Sequence, residues 1–181
     1  MLRLLLILPV LLLALPICPT VNAQRDHLTT QEVDLVKEAQ ILDKRIEVFI
    51  KAAERRLMVL NGTQSANAKQ LKKDSELWGE LPTGSHADLL GDIAGILDEA
   101  ITNIDDVSAR DERNPLIPKA LRRLAEAVNN IMTQVAPLRD QAKSDGELAS
   151  LESLNEEAQQ ILEAAKKLPP PEPEKKAKKK N

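Results

Sequence analysis

The chain has 181 residues and a net charge of −3, from 25 Lys and Arg against 28 Asp and Glu. Aromatic residues make up 1% of it and Tyr is absent, whereas sheet proteins usually place aromatic and β-branched residues on their strands. Ala, Leu, Glu, Lys, Gln and Arg, which favour helices, dominate instead. The composition therefore argues against a sheet protein and favours an all-α protein.

The first predicted element is an apolar run close to the amino terminus. Arg3 precedes the run, which covers residues 4–15, and Val21-Asn22-Ala23 gives the small-residue spacing of a cleavage site. This is the pattern of a secretory signal peptide. We therefore predict a signal peptide at residues 1–23, cleaved after Ala23, and an exported mature protein in the periplasm or outside the cell.

Two other interpretations of this segment are less well supported. A membrane-spanning anchor needs about 20 apolar residues, and Pro9, Pro16 and Pro19 interrupt a short run. Residues 15–17 lack the small residue that precedes a lipid-modified cysteine at Cys18. Because Cys18 leaves with the signal peptide, the mature chain has no cysteine, which excludes disulfides and thiolate chemistry.

The next predicted element is a long amphipathic helix. Thr29 and Glu32 have the spacing of a capping box at its start. Apolar residues then recur in steps of three and four, at Leu35, Ala39, Leu42, Ile46, Phe49, Ala53, Leu57 and Leu60. Asn61 and Gly62 end the helix, and this explains them better than the alternative, a glycan acceptor at Asn61-Gly62-Thr63.

A polar connection with a short helix is predicted over residues 63–81, with Trp78 covering one end of the core. The second helix starts at Ser85, which has Asp88 three residues on, and ends near Val107. Gly91 and Gly95 lie four apart on this helix. We interpret the two glycines as a site where a neighbouring helix approaches closely.

The third and fourth helices complete the predicted core. The third begins near Pro115 and Pro118 and carries a heptad-like seam of Leu121, Leu124, Val128, Ile131, Val135, Leu138 and Ala142. Pro137 predicts a kink or an early end in it. The fourth begins at Ser144, with Glu147 at capping-box spacing, and its apolar stripe runs to Leu168 before the prolines at 169–171.

Four helices with one apolar stripe each can bury those stripes by packing on one another. We therefore predict an all-α fold, an antiparallel four-helix bundle over residues 24–168, with a disordered basic carboxyl-terminal tail at residues 169–181. An extended coiled-coil hairpin is the alternative, which the irregular second helix does not favour.

The sequence offers no cofactor or catalytic site. The mature chain has only His27 and His86, and neither has a Glu three residues before it, as di-iron bundles require. A haem-attachment motif, an EF-hand loop and a Gly-rich phosphate loop are all missing. His86 with Ser85 and Asp88 is better explained as a helix cap than as a catalytic triad. We therefore expect no metal, no cofactor and no enzyme activity.

The tail has the opposite charge to the rest of the mature chain. It carries Lys175, Lys176, Lys178, Lys179 and Lys180 against two Glu, a net charge of +3, whereas residues 24–168 have a net charge of −7. Such an arm could bind weakly to an anionic envelope surface or an acidic partner, or keep the protein soluble. Without aromatic residues it is not suited to nucleic acid.

One segment resembles known proteins. Residues 44–57, KRIEVFIKAAERRL, are similar to a segment of uncharacterised exported bacterial all-helical proteins. The resemblance implies export and helices, without a chemical role.

Two functions follow as hypotheses. The preferred one is a non-enzymatic envelope or extracellular module that binds another protein, or a second copy of itself, through the seam at residues 121–142 or the face with Gly91 and Gly95. The alternative is a carrier that holds an apolar small molecule between its helices.

Overall fold

Six α-helices form the secondary structure of residues 26–170, the part of the chain that the computed structural model describes. The all-α class is thereby confirmed. The predicted signal peptide and the five tail lysines lie outside the described residues. The helices are α1 (Thr30–Glu38), α2 (Leu42–Leu60), α3 (Ala68–Trp78), α4 (His86–Arg110), α5 (Leu116–Arg139) and α6 (Asp145–Lys166).

Hydrogen-bonding side chains begin three of these helices at the positions that the sequence indicates. The Thr29 hydroxyl accepts a hydrogen bond from the Glu32 amide, and the Glu32 carboxylate accepts one from the Thr29 amide at 2.9 Å. Ser85 and Asp88 form the same reciprocal pair at the start of α4, and Ser144 caps α6. Each cap satisfies amide groups without a partner inside the helix and contributes about 1 kcal/mol.

The long first helix predicted from the sequence is wrong, because the chain breaks at residues 39–41 into α1 and α2. The Ala39 carbonyl accepts a hydrogen bond from Arg45 Nε at 3.0 Å, and the Gln40 side chain donates to the Lys37 carbonyl at 2.6 Å. These bonds replace those of a continuous helix. The break allows α1 to fold back along α2, which buries Glu32 between them.

The connection between α2 and α4 contains a helix, as predicted. Gly62, with φ of 62°, follows the end of α2. The helix α3 then ends at Trp78, whose side chain is 6% exposed and packs with the main apolar core. The ammonium group of Lys51 lies 4.7 Å from the centre of the Trp78 ring. Trp78 therefore covers the core, as the sequence indicated.

The four longer helices share one apolar core. Helices α4 and α5 each pack against both α2 and α6, whereas no contact joins α2 to α6 within the described residues. Burial of one large apolar side chain contributes roughly 1.5–3 kcal/mol. Several core residues have no exposed surface at all: Ile46, Phe49, Ile93, Ile96, Leu97, Leu124, Val128, Leu154 and Ile161.

The directions of the helices follow from contacts between their ends. Asp43 pairs with Lys119, near the starts of α2 and α5, and Asn61 bonds to Gln134 near their ends, so these two helices run parallel. Helices α4 and α6 are also parallel. The Ser150 hydroxyl donates to the Ala87 carbonyl at 2.9 Å near their starts, and Asp98 and Glu157 interact further along.

The other two neighbouring pairs, α2 with α4 and α5 with α6, are antiparallel. Arg45 bonds to Asn103 while Arg56 approaches Asp92, and Arg122 of α5 donates to the Pro169 carbonyl beyond the end of α6. The predicted antiparallel four-helix bundle is therefore not confirmed: the described chain has six helices, and two of the packed pairs run parallel. Short loops favour antiparallel packing of consecutive helices, as in α5 and α6, but the most extensive contacts join α4 to α6 and α2 to α4, which are not consecutive.

Most of the predicted seam on the third helix lies inside the protein, but Leu138 is half-buried and Ala142 lies beyond the end of α5. Leu121, Leu124, Val128, Ile131 and Val135 are all buried on α5. Pro137 lies within α5, which ends two residues later at Arg139. The position of Pro137 in the last turn agrees with the predicted early end of this helix.

Candidate interaction surface

A buried ionic cluster joins α1 to α2. Glu32, Arg55 and Arg56 are between 0 and 3% exposed. The Glu32 carboxylate lies 3.2 Å from Arg55 Nε and 2.7 Å from Arg56 Nη2. An unpaired buried charge would cost several kcal/mol, so the three side chains are stable only together.

The same arginines hold segments without regular structure. Arg56 Nη2 donates to the His27 carbonyl at 2.6 Å, which fixes the chain before α1. Arg55 Nη2 lies within hydrogen-bond distance of the carbonyl groups of residues 78, 79 and 80, which fixes the turn after α3. Gly79 has φ of 64° in this turn. The cluster therefore fastens two loops to α2.

This cluster has a structural role. Arg56 Nε lies 3.8 Å from the Asp92 carboxylate, which is also buried. Two acidic and two basic side chains balance one another, and Glu32 already accepts bonds from three donor groups. The cluster has neither a free nucleophile nor an excess charge for a ligand.

A second ionic cluster joins α2 to α5. Asp43 Oδ2 accepts a hydrogen bond from Lys119 Nζ at 2.8 Å, and Asp43 Oδ1 lies 3.3 Å from Arg123. Arg123 also pairs with Glu47. The hydrogen bond from Lys119 and the charge of Arg123 lower the pKa of the Asp43 carboxyl, although its burial opposes them.

Charge is unevenly divided between the two parallel pairs of helices. Helices α4 and α6 together carry twelve acidic and two basic residues, a net charge of −10. Helices α2 and α5 carry four acidic and nine basic residues, a net charge of +5. The clusters described above pair many of the charges on α2 and α5. The excess negative charge therefore lies on one side of the protein.

Six carboxylates lie on the outer surface of the parallel pair α4 and α6. Positions 152, 156 and 163 are four and seven apart, so they lie on one side of α6. Asp98 is beside Glu157, and the parallel direction of the helices brings Asp105 level with residue 164. We define the acidic face as Asp98, Asp105, Glu152, Glu156, Glu157 and Glu163; all are exposed except Glu157, which is half-buried.

The Glu157 carboxylate lies in an unfavourable environment within the acidic face. Burial raises the pKa of its carboxyl, and the negative charges of Asp98 and Glu156 raise it further. Its Oε2 atom is buried without a hydrogen-bond partner. Within residues 26–170, no ion pair joins any of the six carboxylates to a basic side chain. A cation placed on this face would therefore relieve repulsion.

The two glycines of α4 have different neighbours. A Cβ atom at Gly91 would lie 3.6 Å from Ser150 Oγ on α6, an ordinary contact. A Cβ atom at Gly95 would lie 3.0 Å from His27 Cγ, and His27 is held there by a 2.8 Å bond to Glu99. The close approach at Gly95 is thus made by a side chain before α1 and not by a helix. This face is occupied by the protein's own residues.

Three surface hollows have mixed linings. One of about 280 Å³ lies between the start of α4, the end of α5 and the start of α6, and its lining includes His86, Lys143 and Glu147. The second, of about 490 Å³, lies beside the ionic cluster that joins α1 to α2, and its lining includes Asp26, Glu80 and Asp92. The third, of about 420 Å³, lies between α2 and α5. Their charged linings do not favour an apolar ligand.

No match to the chain is found among protein-family models, curated proteins or solved structures. Between residues 26 and 170, no group of three or more His, Cys, Asp and Glu side chains is placed to hold a metal ion. None of the helices in this range combines the length and the apolar character needed to cross a membrane. The acidic face is the feature that sequence reasoning missed, although a helical projection of residues 145–166 would have revealed its stripe on α6.

Proposed function

We propose that this protein is an exported, non-enzymatic interaction module of the cell envelope that binds a cationic partner protein at the acidic face. In this proposal the four longer helices form a bundle whose role is to hold the face rigid. The amino-terminal leader pattern supports export to the periplasm or the outside of the cell.

The unpaired state of the acidic face is the observation that carries this proposal. Like charges four residues apart on a helix, such as Glu152 and Glu156, destabilise it by a few tenths of a kcal/mol. On α2 and α5, carboxylates such as Asp43 and Glu47 have basic partners. A surface with complementary charge steers association and selects its partner. The acidic face, whose negative charges have no basic partners within the described residues, is therefore suited to recognising a cationic protein.

Two surfaces considered from the sequence do not support partner binding. The seam on α5 is buried, and Gly91 and Gly95 face α6 and His27. The carrier hypothesis gains no support from the mixed linings of the three hollows. Of these surfaces, the acidic face is the one whose charge favours a particular kind of partner, a cationic protein.

Neutralising the acidic face should weaken binding of a cationic probe. We expect the full mature chain carrying Glu152→Gln, Glu156→Gln and Glu163→Gln to bind a fluorescein-labelled hexalysine peptide at least about tenfold more weakly than the wild type. Three exposed ion pairs of roughly 0.5 kcal/mol each give a factor of that size. Fluorescence anisotropy at low salt measures the affinity.

The matched control changes the net charge equally at other exposed sites. Asp34→Asn, Glu38→Gln and Glu126→Gln lie on α1 and α5, away from the face. This variant should retain the wild-type affinity within about twofold. Equal loss of affinity in both triple variants would reduce the effect to net charge and overturn the proposed function.

A further inference from the structure

The turn that follows α2 contains the sequence pattern of an acceptor site for an N-linked glycan. Asn61, Gly62 and Thr63 have the spacing Asn-x-Ser/Thr, and this pattern occurs nowhere else in the chain. The competing explanation of the same residues is that Asn61 and Gly62 only end the helix. The geometry of the turn distinguishes the two explanations.

Backbone hydrogen bonds end α2 without the side chain of Asn61. The Gly62 amide donates to the Val59 carbonyl at 3.1 Å. The Thr63 amide donates to the Met58 carbonyl, also at 3.1 Å. This is the pattern of a Schellman motif, in which one residue has a left-handed backbone. Because that residue is Gly62, with φ of 62°, and not Asn61, with φ of −87°, the end of the helix requires the glycine but not the asparagine.

The two residues that specify the motif are accessible. Asn61 and Thr63 are both exposed. The Asn61 side-chain amide donates one hydrogen bond, at 3.1 Å, to the exposed side chain of Gln134, and water can replace this bond. Apart from the two chain neighbours of Gly62, no described residue comes within 4 Å of a Cβ atom placed at this glycine. The turn therefore has room for a bulky sugar group on Asn61.

We propose that Asn61 is the acceptor of an N-linked oligosaccharide, which is transferred during export from a lipid-pyrophosphate donor. The Asn61 Nδ2 atom forms a bond to the anomeric carbon of the first sugar and loses one proton. The bond from this carbon to the pyrophosphate oxygen breaks, and the lipid pyrophosphate leaves with the bonding electrons. An oligosaccharyltransferase at the export membrane catalyses the transfer. This inference rests on the export of the chain in the proposed function.

Cell-free synthesis of the full chain with microsomes that contain an oligosaccharyltransferase tests the site. We expect translocated chain, which is protected from added protease, to carry one glycan. The glycan appears as a single shift in gel mobility, and an amidase that removes N-linked glycans reverses it. Asn61→Gln and Thr63→Ala should each abolish the shift, whereas Thr63→Ser should retain it because serine also satisfies the motif.

The matched control changes an asparagine outside the motif. Asn67 is exposed in the same connection, and Lys69, two residues after it, does not complete the motif. Asn67→Gln should therefore keep the full shift. A mobility shift that persists in Asn61→Gln would place the modification elsewhere and overturn the inference.

The outcomes separate this inference from the proposed function. Translocation of the wild-type chain without a glycan overturns the inference and leaves the proposed export intact. If the full chain is not translocated, the proposed export fails. Residues 24–181 behind the cleavable leader of another secreted protein then show whether Asn61 accepts a glycan. A glycan on that chain supports the acceptor site, and its absence overturns it.

Discussion

Glu32 belongs both to the cap of α1 and to the buried ionic cluster. Its carboxylate caps α1 and neutralises Arg55 and Arg56 in a place where water is excluded. The sequence predicted the cap, because Thr29 and Glu32 have the required spacing. It did not predict the two arginines, since nothing in a helical projection distinguishes a buried arginine from an exposed one.

Removal of the Glu32 carboxylate should destabilise the protein strongly. We expect Glu32→Ala to lower the free energy of unfolding by about 3–5 kcal/mol, because it leaves the buried Arg55 and Arg56 with only Asp92, 3.8 Å from Arg56 Nε, as a counter-charge within the cluster. Urea unfolding followed by circular dichroism measures the change. Glu38→Ala, an exposed site on the same helix, should change it by less than about 0.5 kcal/mol. A loss below about 1 kcal/mol in the Glu32 variant would contradict the structural role of the cluster.

Asp43 and Glu157 should affect the pH dependence of stability in opposite directions. The lowered pKa of Asp43 means that its contribution is full above its ordinary value of 3.8 and is lost as the pH falls through the folded value. The raised pKa of Glu157 means that its carboxylate destabilises the protein at neutral pH, and this cost disappears as the pH falls toward 4.5.

The measurement compares Asp43→Asn and Glu157→Gln with the wild type by urea unfolding from neutral to acid pH. At neutral pH, Asp43→Asn should be less stable and Glu157→Gln more stable than the wild type. Both differences should shrink in acid. If the two variants shifted stability in the same direction at neutral pH, the assignment of opposite pKa shifts would be wrong.

At the scale of helices, the sequence predicted the starts better than the breaks. Local capping residues mark the starts of α1, α4 and α6, and they act within a few residues. The break at residues 39–41 has no glycine or proline, and the apolar spacing passes through it. It is fixed by contacts with distant residues, such as that of Glu32 with Arg55, which no local pattern contains.

The two glycines of α4 should respond differently to alanine. Gly91→Ala should raise the free energy of unfolding by up to about 1 kcal/mol, because alanine favours helices and the added methyl group meets only an ordinary contact. Gly95→Ala should lower it, because the methyl group would displace His27 and weaken its bond to Glu99. Thermal unfolding of both variants checks this. A stabilising Gly95→Ala would show that His27 does not hold the chain at this point.

For the molecule as a whole, the sequence predicted the class and the number of long apolar stripes, but not which helices would touch. Five-residue connections after α4 and α5 suggest that consecutive helices pack as neighbours. Helices α5 and α6 do so, but α4 packs far more on α6 than on α5, and α5 also packs on α2, so that like-charged helices lie side by side. The acidic face depends on this pairing, so a helical projection could reveal its stripe on α6 but not that Asp98 and Asp105 of α4 lie next to it.

The parallel pairing also has a consequence for the order in which the chain can fold. Helix α6 packs on both α4 and α5, and among the helices of residues 26–170 it is synthesised last. Until α6 emerges from the ribosome, the surfaces of α4 and α5 that pack on it remain exposed to water. The core of the described residues is therefore completed only after α6 has been made, and a nascent chain halted before residue 145 should remain sensitive to protease.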